Sequence, residues 1–133
     1  MKIDGGCHCG FIAYEGDADP AKASICNCTD CQKLSGSAFR TVVPVDGASF
    51  RMTGQPTVYV KTGDSGNKRE QAFCPRCGSP IYSAPPGPDP KPRFIRVGTL
   101  RQRDQFIPKS QLWGRSQQRW VDAIAGIPKQ EKQ

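Results

Sequence analysis

Phe73-Cys74-Pro75-Arg76-Cys77-Gly78-Ser79 places two sulfurs two residues apart and follows the second with a glycine. Such a knuckle aims two thiolates at one soft cation, and Gly78 permits the left-handed turn that closes it. A single knuckle is half a site. Its counterpart is Gly6-Cys7-His8-Cys9-Gly10, the same device with one spacer fewer. Pairing Cys7 and Cys9 with Cys74 and Cys77 gives a closed four-thiolate site that fastens the N-terminal strand to the middle of the chain. A mixed pairing that draws on Cys26 and Cys28 is the alternative that spacing leaves open.

The third cluster, Cys26-Asn27-Cys28-Thr29-Asp30-Cys31, brings the cysteine count to seven. An odd count is a poor disulfide framework. No apolar leader follows Met1-Lys2-Ile3-Asp4 and no membrane-spanning run is present, so the expected compartment is the cytoplasm. Three sulfurs from one short loop have no fourth cysteine to complete them. Three protein ligands with an open position is the pattern of catalytic zinc. His8, the only histidine, and Asp30 are the side chains that could close it; His8 lies between two ligands of the other site. We therefore expect two zinc ions, the second exchangeable.

A chain of 133 residues with 36% hydrophobic residues, Gly 14 and Pro 12 reads as one turn-rich domain, 1–133, whose modest core needs metal support. The formal charge is +7, and the excess lies in the last third, where residues 91–133 hold ten Lys and Arg against three Asp and Glu. Seven thiolates and two dications would reduce that total to about +4, a moderate balance that does not demand nucleic acid. Alternation and β-rich composition predict short antiparallel strands at Phe11–Glu15, Ala38–Val45, Ser49–Met52, Thr57–Lys61, Arg69–Phe73, Pro80–Ser83 and Phe94–Leu100. Gly63–Asn67 reads as a hairpin tip, and the proline-rich Pro85–Pro92 as a surface loop.

Two helices are expected. One starts at a Thr29 cap, with Gln32 reaching back to it and Gly36 as the left-handed stop, and it sets Cys31 in a first turn that favours its thiolate. The other runs from Ser116 to Ala125 and packs over the sheet through Trp120, Val121 and Ile124. Trp113 and Trp120 are read as core. No phosphate loop is present, and His8, enclosed by metal ligands, leaves no base for a Ser or Cys triad.

Taken together, Gly6-Cys7-His8-Cys9-Gly10, Cys26 to Lys33 with Ser35-Gly36-Ser37-Ala38-Phe39, Phe73 to Ser79, Gly98-Thr99-Leu100 and Trp120 with Gly126-Ile127-Pro128 resemble the glutathione-dependent formaldehyde-activating enzyme family, which includes centromere protein V. The resemblance implies a mainly β fold, a β-tent of antiparallel sheets tied by zinc. It implies Cys7, Cys9, Cys74 and Cys77 as ligands of a structural zinc, and Cys26, Cys28 and Cys31 as the catalytic zinc site. It also implies a carbon–sulfur lyase that joins glutathione to formaldehyde as S-hydroxymethylglutathione, with a small thiol and an aldehyde as partners. Two positions depart from the family pattern: Arg101 stands where Asp is common, and Gln111 where His is common.

Three thiolates leave a zinc dication at a net charge of −1, a poor Lewis acid that suits a soft fourth ligand such as a thiol. In the sequence, Arg93, Arg96, Arg101, Arg103 and Arg115 are candidates to meet substrate carboxylates. The alternative function is a zinc-stabilised nucleic-acid or protein-interaction module that uses the basic last third.

Overall fold

Residues 1–133 are described by the computed structural model as ten strands, one α-helix and five 3-10 segments. The strands are β1 (Lys2–Gly6), β2 (Ala13–Asp17), β3 (Ser24–Cys26), β4 (Arg40–Val45), β5 (Arg51–Thr53), β6 (Thr57–Thr62), β7 (Lys68–Phe73), β8 (Pro80–Ala84), β9 (Arg93–Arg96) and β10 (Ser110–Leu112); α1 is Thr29–Ser35. A three-stranded sheet has the order β1-β2-β5, and a seven-stranded sheet the order β10-β3-β4-β9-β8-β7-β6. This is the mainly β, tent-like architecture that the family resemblance implies.

Strand alternation decides which face of the large sheet is dry. Val43 pairs with Ile95, Ile95 with Tyr82, and Tyr82 with Ala72, giving a continuous apolar row across β4, β9, β8 and β7. All four side chains are buried. Phe50 joins this row to the small sheet: its ring lies 5.9 Å from Tyr14 of β2 and 5.9 Å, edge-on, from Tyr82 of β8. Tyr14 shares a 2.7 Å hydrogen bond with Thr99 Oγ1, so the one polar atom the small sheet sends into the core is partnered. Isolated bridges from Gly5 to Leu100 and from Ala18 to Val45 join each sheet to segments outside it. Ile95 is fully buried at the centre of the row, and Ile95→Ala should cost about 2–5 kcal/mol, measured as a lowered urea midpoint at unchanged slope.

Gly63–Asn67 is the tip between β6 and β7, and Pro85–Pro92 is the exposed link from β8 to β9, both as expected. Several expectations need correction. β1, β3 and β10 were not anticipated, and β10 lies parallel to β3, so the sheets are not wholly antiparallel. The strand expected over Phe94–Leu100 stops at Arg96, where Val97–Thr99 turns as a 3-10 segment to bring Leu100 against Gly5. The cap of α1 is Cys28, whose sulfur accepts from Cys31 N–H at 3.3 Å; Gln32 turns instead to carbonyls outside the helix. Gly36 does close α1 in the left-handed conformation, at φ 65°.

The second helix does not form as an α-helix. Gly114–Ser116 and Arg119–Gly126 are separate 3-10 segments, and no side chain caps either of them. Trp120 and Ile124 are about half exposed and Val121 is half-buried, so the apolar stripe is only partly covered. Without full burial to favour it, an eight-residue segment gains little from a longer hydrogen-bond ladder. Trp113 and Trp120, 51% and 47% exposed, are therefore not core residues.

Candidate metal centres

The first centre is built by two turns that close on themselves. Cys7 N–H donates to Ile12 O at 3.0 Å, while Gly10 N–H reaches Cys7 O at 3.3 Å. In the partner turn, Cys74 N–H donates to Ser79 O at 3.0 Å and Gly78 N–H to Cys74 O at 2.9 Å. Gly10 and Gly78 have φ of 84° and 78°, the region where a side chain is strained. These turns bring the sulfurs of Cys7, Cys9, Cys74 and Cys77 within 4.8 Å of one another.

Cys7 and Cys9 sulfurs are 3.6 Å apart, and Cys9 and Cys74 sulfurs 3.8 Å. A tetrahedron with metal–sulfur bonds of about 2.3 Å has edges of about 3.8 Å, so the donor set fits a thiophilic tetrahedral cation. Peptide N–H groups face the sulfurs: Ile12 N–H donates to Cys7 at 3.2 Å and Arg76 N–H to Cys74 at 3.4 Å. Hydrogen bonding to Ser79 holds the Cys77 thiol down at about 5. The Arg76 guanidinium lies 3.9 Å over the Phe11 ring, clamping one knuckle to the residue after the other.

The second centre gathers Cys26 from the end of β3, Cys28 from the α1 cap and Cys31 from its first turn, with their sulfurs within 4.8 Å of one another. Its loop is held from behind. Asn27 is fully buried; its N–H donates to Leu112 O at 3.0 Å, and its side-chain amide donates to Gln111 Oε1 at 3.2 Å and Leu112 O at 3.3 Å. Gln32 donates to Asn27 O at 2.8 Å and Ser116 O at 2.9 Å. Gln111, at the position where family members often carry His, thus supports the loop. A hydrogen bond from Cys31 sets the Cys26 thiol down at about 5, while Cys31 is driven up by the same sharing and by burial.

His8 and Asp30 join neither group of converging ligands. His8 N–H donates to Ser79 beside the first centre, and the Asp30 carboxylate is taken by Lys61 Nζ at 2.8 Å. Three protein sulfurs converge there, and one of the three residues, Cys28, lines a cavity of about 480 Å³ together with Asp30, Lys61, Arg69, Trp113 and Ser116. Trp113 stands at this cavity with φ 56°, a left-handed conformation rare for a bulky residue.

The candidate arginines divide between the two ends of the molecule. Arg101 pairs with Asp4 at 2.7 Å and Arg103 lines the hollow beside Cys7 and His8, so neither reaches the second centre. Arg93 pairs with Asp89 at 2.7 Å and packs over Phe50 and Tyr82. Arg96 of the anticipated set lies in the field of Cys26 and Cys31, where Arg40 joins it, and Arg69 lies close to Arg96 and lines the cavity. Sequence reasoning missed Arg40 and Arg69, and Arg115 is exposed in the segment Gly114–Ser116. Arg40, Arg69 and Arg96 occupy alternate positions on one face of β4, β7 and β9. The overlooked signal was Arg69-x-Gln71, a polar pair at period two in a buried strand.

Two sheets with a converging four-cysteine cluster, and a converging three-cysteine cluster beside a cavity, define a β-sheet protein with two cysteine clusters that could hold metal ions. The sequence model described as glutathione-dependent formaldehyde-activating enzyme matches residues 2–116, and the chain belongs to that family. A crystal structure of a Rhodobacter sphaeroides protein, a Northeast Structural Genomics target, aligns with a TM-score of 0.60 at 20% identity, covering 84% of this chain and 99% of that one. That likeness is one of fold.

Proposed function

We propose that this chain, a single domain over 1–133, is a zinc-dependent enzyme that joins a thiol to an aldehyde, with glutathione and formaldehyde as the family pair and S-hydroxymethylglutathione as product. In the reverse direction it is a carbon–sulfur lyase. The observation that carries this reading is the convergence of three, not four, protein sulfurs beside an open cavity that Cys28 lines. On this reading Cys7, Cys9, Cys74 and Cys77 hold a structural zinc, and Cys26, Cys28 and Cys31 hold the catalytic one. A zinc dication there supplies a soft acceptor that lowers the pKa of an incoming thiol.

The chain's own residues supply the rest. Asn27, Gln32 and Gln111 fix the loop so that its three sulfurs point together. Lys61 and Arg69 line the cavity and attract an anionic thiol. In the addition, the sulfur–carbon bond forms as the carbonyl π-bond breaks, the thiol proton passes to solvent, and the new alkoxide takes a proton from the same water. Trp113 walls the cavity and holds the two reactants near each other, which is where most of the gain arises for a reaction that also runs uncatalysed. Seven free thiols suit a reducing compartment such as the cytoplasm. Within the basic last third Arg93 and Arg101 are paired and Arg96 is buried, while Arg103, Lys109, Arg115, Arg119, Lys129 and Lys132 are exposed.

Metal analysis of reduced protein, with zinc-edge spectroscopy counting sulfurs, tests this reading. Two equivalents of zinc are expected, and added glutathione should raise one site from three sulfurs to four. No change on adding thiol would sink it. Mild chelation should remove about one equivalent while the circular dichroism of the sheets persists. Loss of both metals in a single step together with the sheets would show that the two centres are not divided in this way.

A further inference from the structure

Arg40 and Arg96 are buried cations without a carboxylate. They are 6% and 9% exposed, and Arg40 Nη1 and Arg96 Nη2 both donate to the neutral Gln71 Oε1, at 2.9 and 2.8 Å, while Arg40 also faces the Cys31 sulfur. The Nε of each is buried with no partner. Arg69, the third of the set, reaches Ser83 Oγ at 3.5 Å, packs 4.7 Å over Phe94 and lines the cavity. The acids that do form ion pairs are committed elsewhere, to Lys2, Lys61, Lys91, Arg93 and Arg101. Burial and the repulsion of Arg40 lower Arg96 to about 9, so the arginines crowd one another while remaining charged at neutral pH.

The neighbouring sulfurs balance only part of this charge. Cys26 pairs directly with Arg40 across β3 and β4, and Arg96 faces Val42 one step along the same face. Three thiolates and a dication sum to −1, whereas three guanidiniums sum to +3. A surplus of two positive charges remains. An incoming thiolate cancels one. The other calls for a second anionic group on the reactants, within one or two strand spacings of the sulfurs, roughly 5–10 Å. Formaldehyde carries no such group. The planar fork of a guanidinium matches the two oxygens of a carboxylate better than any monatomic anion.

We propose that Arg69 and Arg96, backed by Arg40, form a carboxylate subsite of the three-sulfur centre, so that the thiol or the aldehyde brings an acid group a few bonds from its reacting atom. This rests on the thiol-addition reading for the identity of the reaction, though not for the binding of the acid. The chemistry is the same whichever reactant carries the carboxylate, and two small acids tell the sources apart.

The test is calorimetric titration of the zinc-loaded full chain. Mercaptoacetate is compared with 2-mercaptoethanol, a neutral thiol of the same length, and glyoxylate with formaldehyde in the presence of 2-mercaptoethanol. At least tenfold tighter binding of one acid over its neutral counterpart is expected. Preference in the first pair assigns the carboxylate to the thiol, and preference in the second assigns it to the aldehyde. The preference should collapse in Arg69→Gln and Arg96→Gln. Arg69→Gln, at a partly exposed position, serves if Arg96→Gln does not fold. Acetate should raise the melting temperature of the wild type and leave that of Arg69→Gln unmoved, a readout that needs no thiol and no turnover. Absence of thiol binding alongside acetate stabilisation that depends on Arg69 would overturn the reaction and leave the subsite standing. Equal binding within both pairs, or a carboxylate preference that survives Arg69→Gln, would overturn the subsite.

Discussion

Cys74→Ser is expected to abolish folding of the whole chain, visible as loss of the β-sheet circular dichroism and as insoluble expression. Cys74 is fully buried, its sulfur lies 3.8 Å from that of Cys9, and it accepts the Arg76 N–H. A hydroxyl there is a poor ligand for a thiophilic cation and sits unsatisfied in a dry site. Structural zinc contributes on the order of 10–16 kcal/mol to folding in small peptides, against a net stability of about 5–15 kcal/mol for a domain. The cross-link also spans the long segment between the two knuckles, so its loss frees a large loop. A soluble, folded Cys74→Ser chain that keeps two equivalents of zinc would remove the structural role from this centre.

Cys28→Ser should do the opposite: a folded chain, one equivalent of zinc, and thiol-linked activity reduced by more than the roughly 10–100-fold that loss of an outer-sphere partner costs. The physical reason is locality. Cys26, Cys28 and Cys31 span one short loop, and that loop is already tied down by Asn27 to β10 and by Gln32 to Ser116 without help from a metal. Removing a sulfur there should lower stability by no more than about 1–2 kcal/mol, part of it from the lost Cys28 cap on α1. Titration of zinc and urea melts on the same preparation separate the two effects. Unfolding equal to that of Cys74→Ser would show that the second centre also bears on the fold.

Much was legible from residue types and spacing, because the information is local. The knuckles with Gly10 and Gly78, the Gly36 stop of α1, the hairpin tip at Gly63–Asn67 and the exposed proline loop are all consequences of backbone conformations that only certain residues permit. Strand alternation likewise announced most of the large sheet. The sequence left two knuckle pairings open, and folding brings Cys7 and Cys9 to Cys74 and Cys77.

What escaped the sequence was whatever depended on a distant surface. β3 and β10 are three residues each, too short for a periodic signal, and exist because they pair with β4 and with each other. The segment from Arg119 to Gly126 has an apolar stripe that suggested a packed helix, but a stripe is only an offer of burial, and here it is taken up only in part. Arg40 and Arg96 lie on strands far apart along the chain, and only the sheet order makes them neighbours of one glutamine and of the second cluster's sulfurs. Sequence alone thus determined which side chains can hold a cation, because ligand chemistry belongs to residue type and spacing. Tertiary structure alone decided which charges surround that cation, because electrostatic fields follow distance in space and are indifferent to distance along the chain.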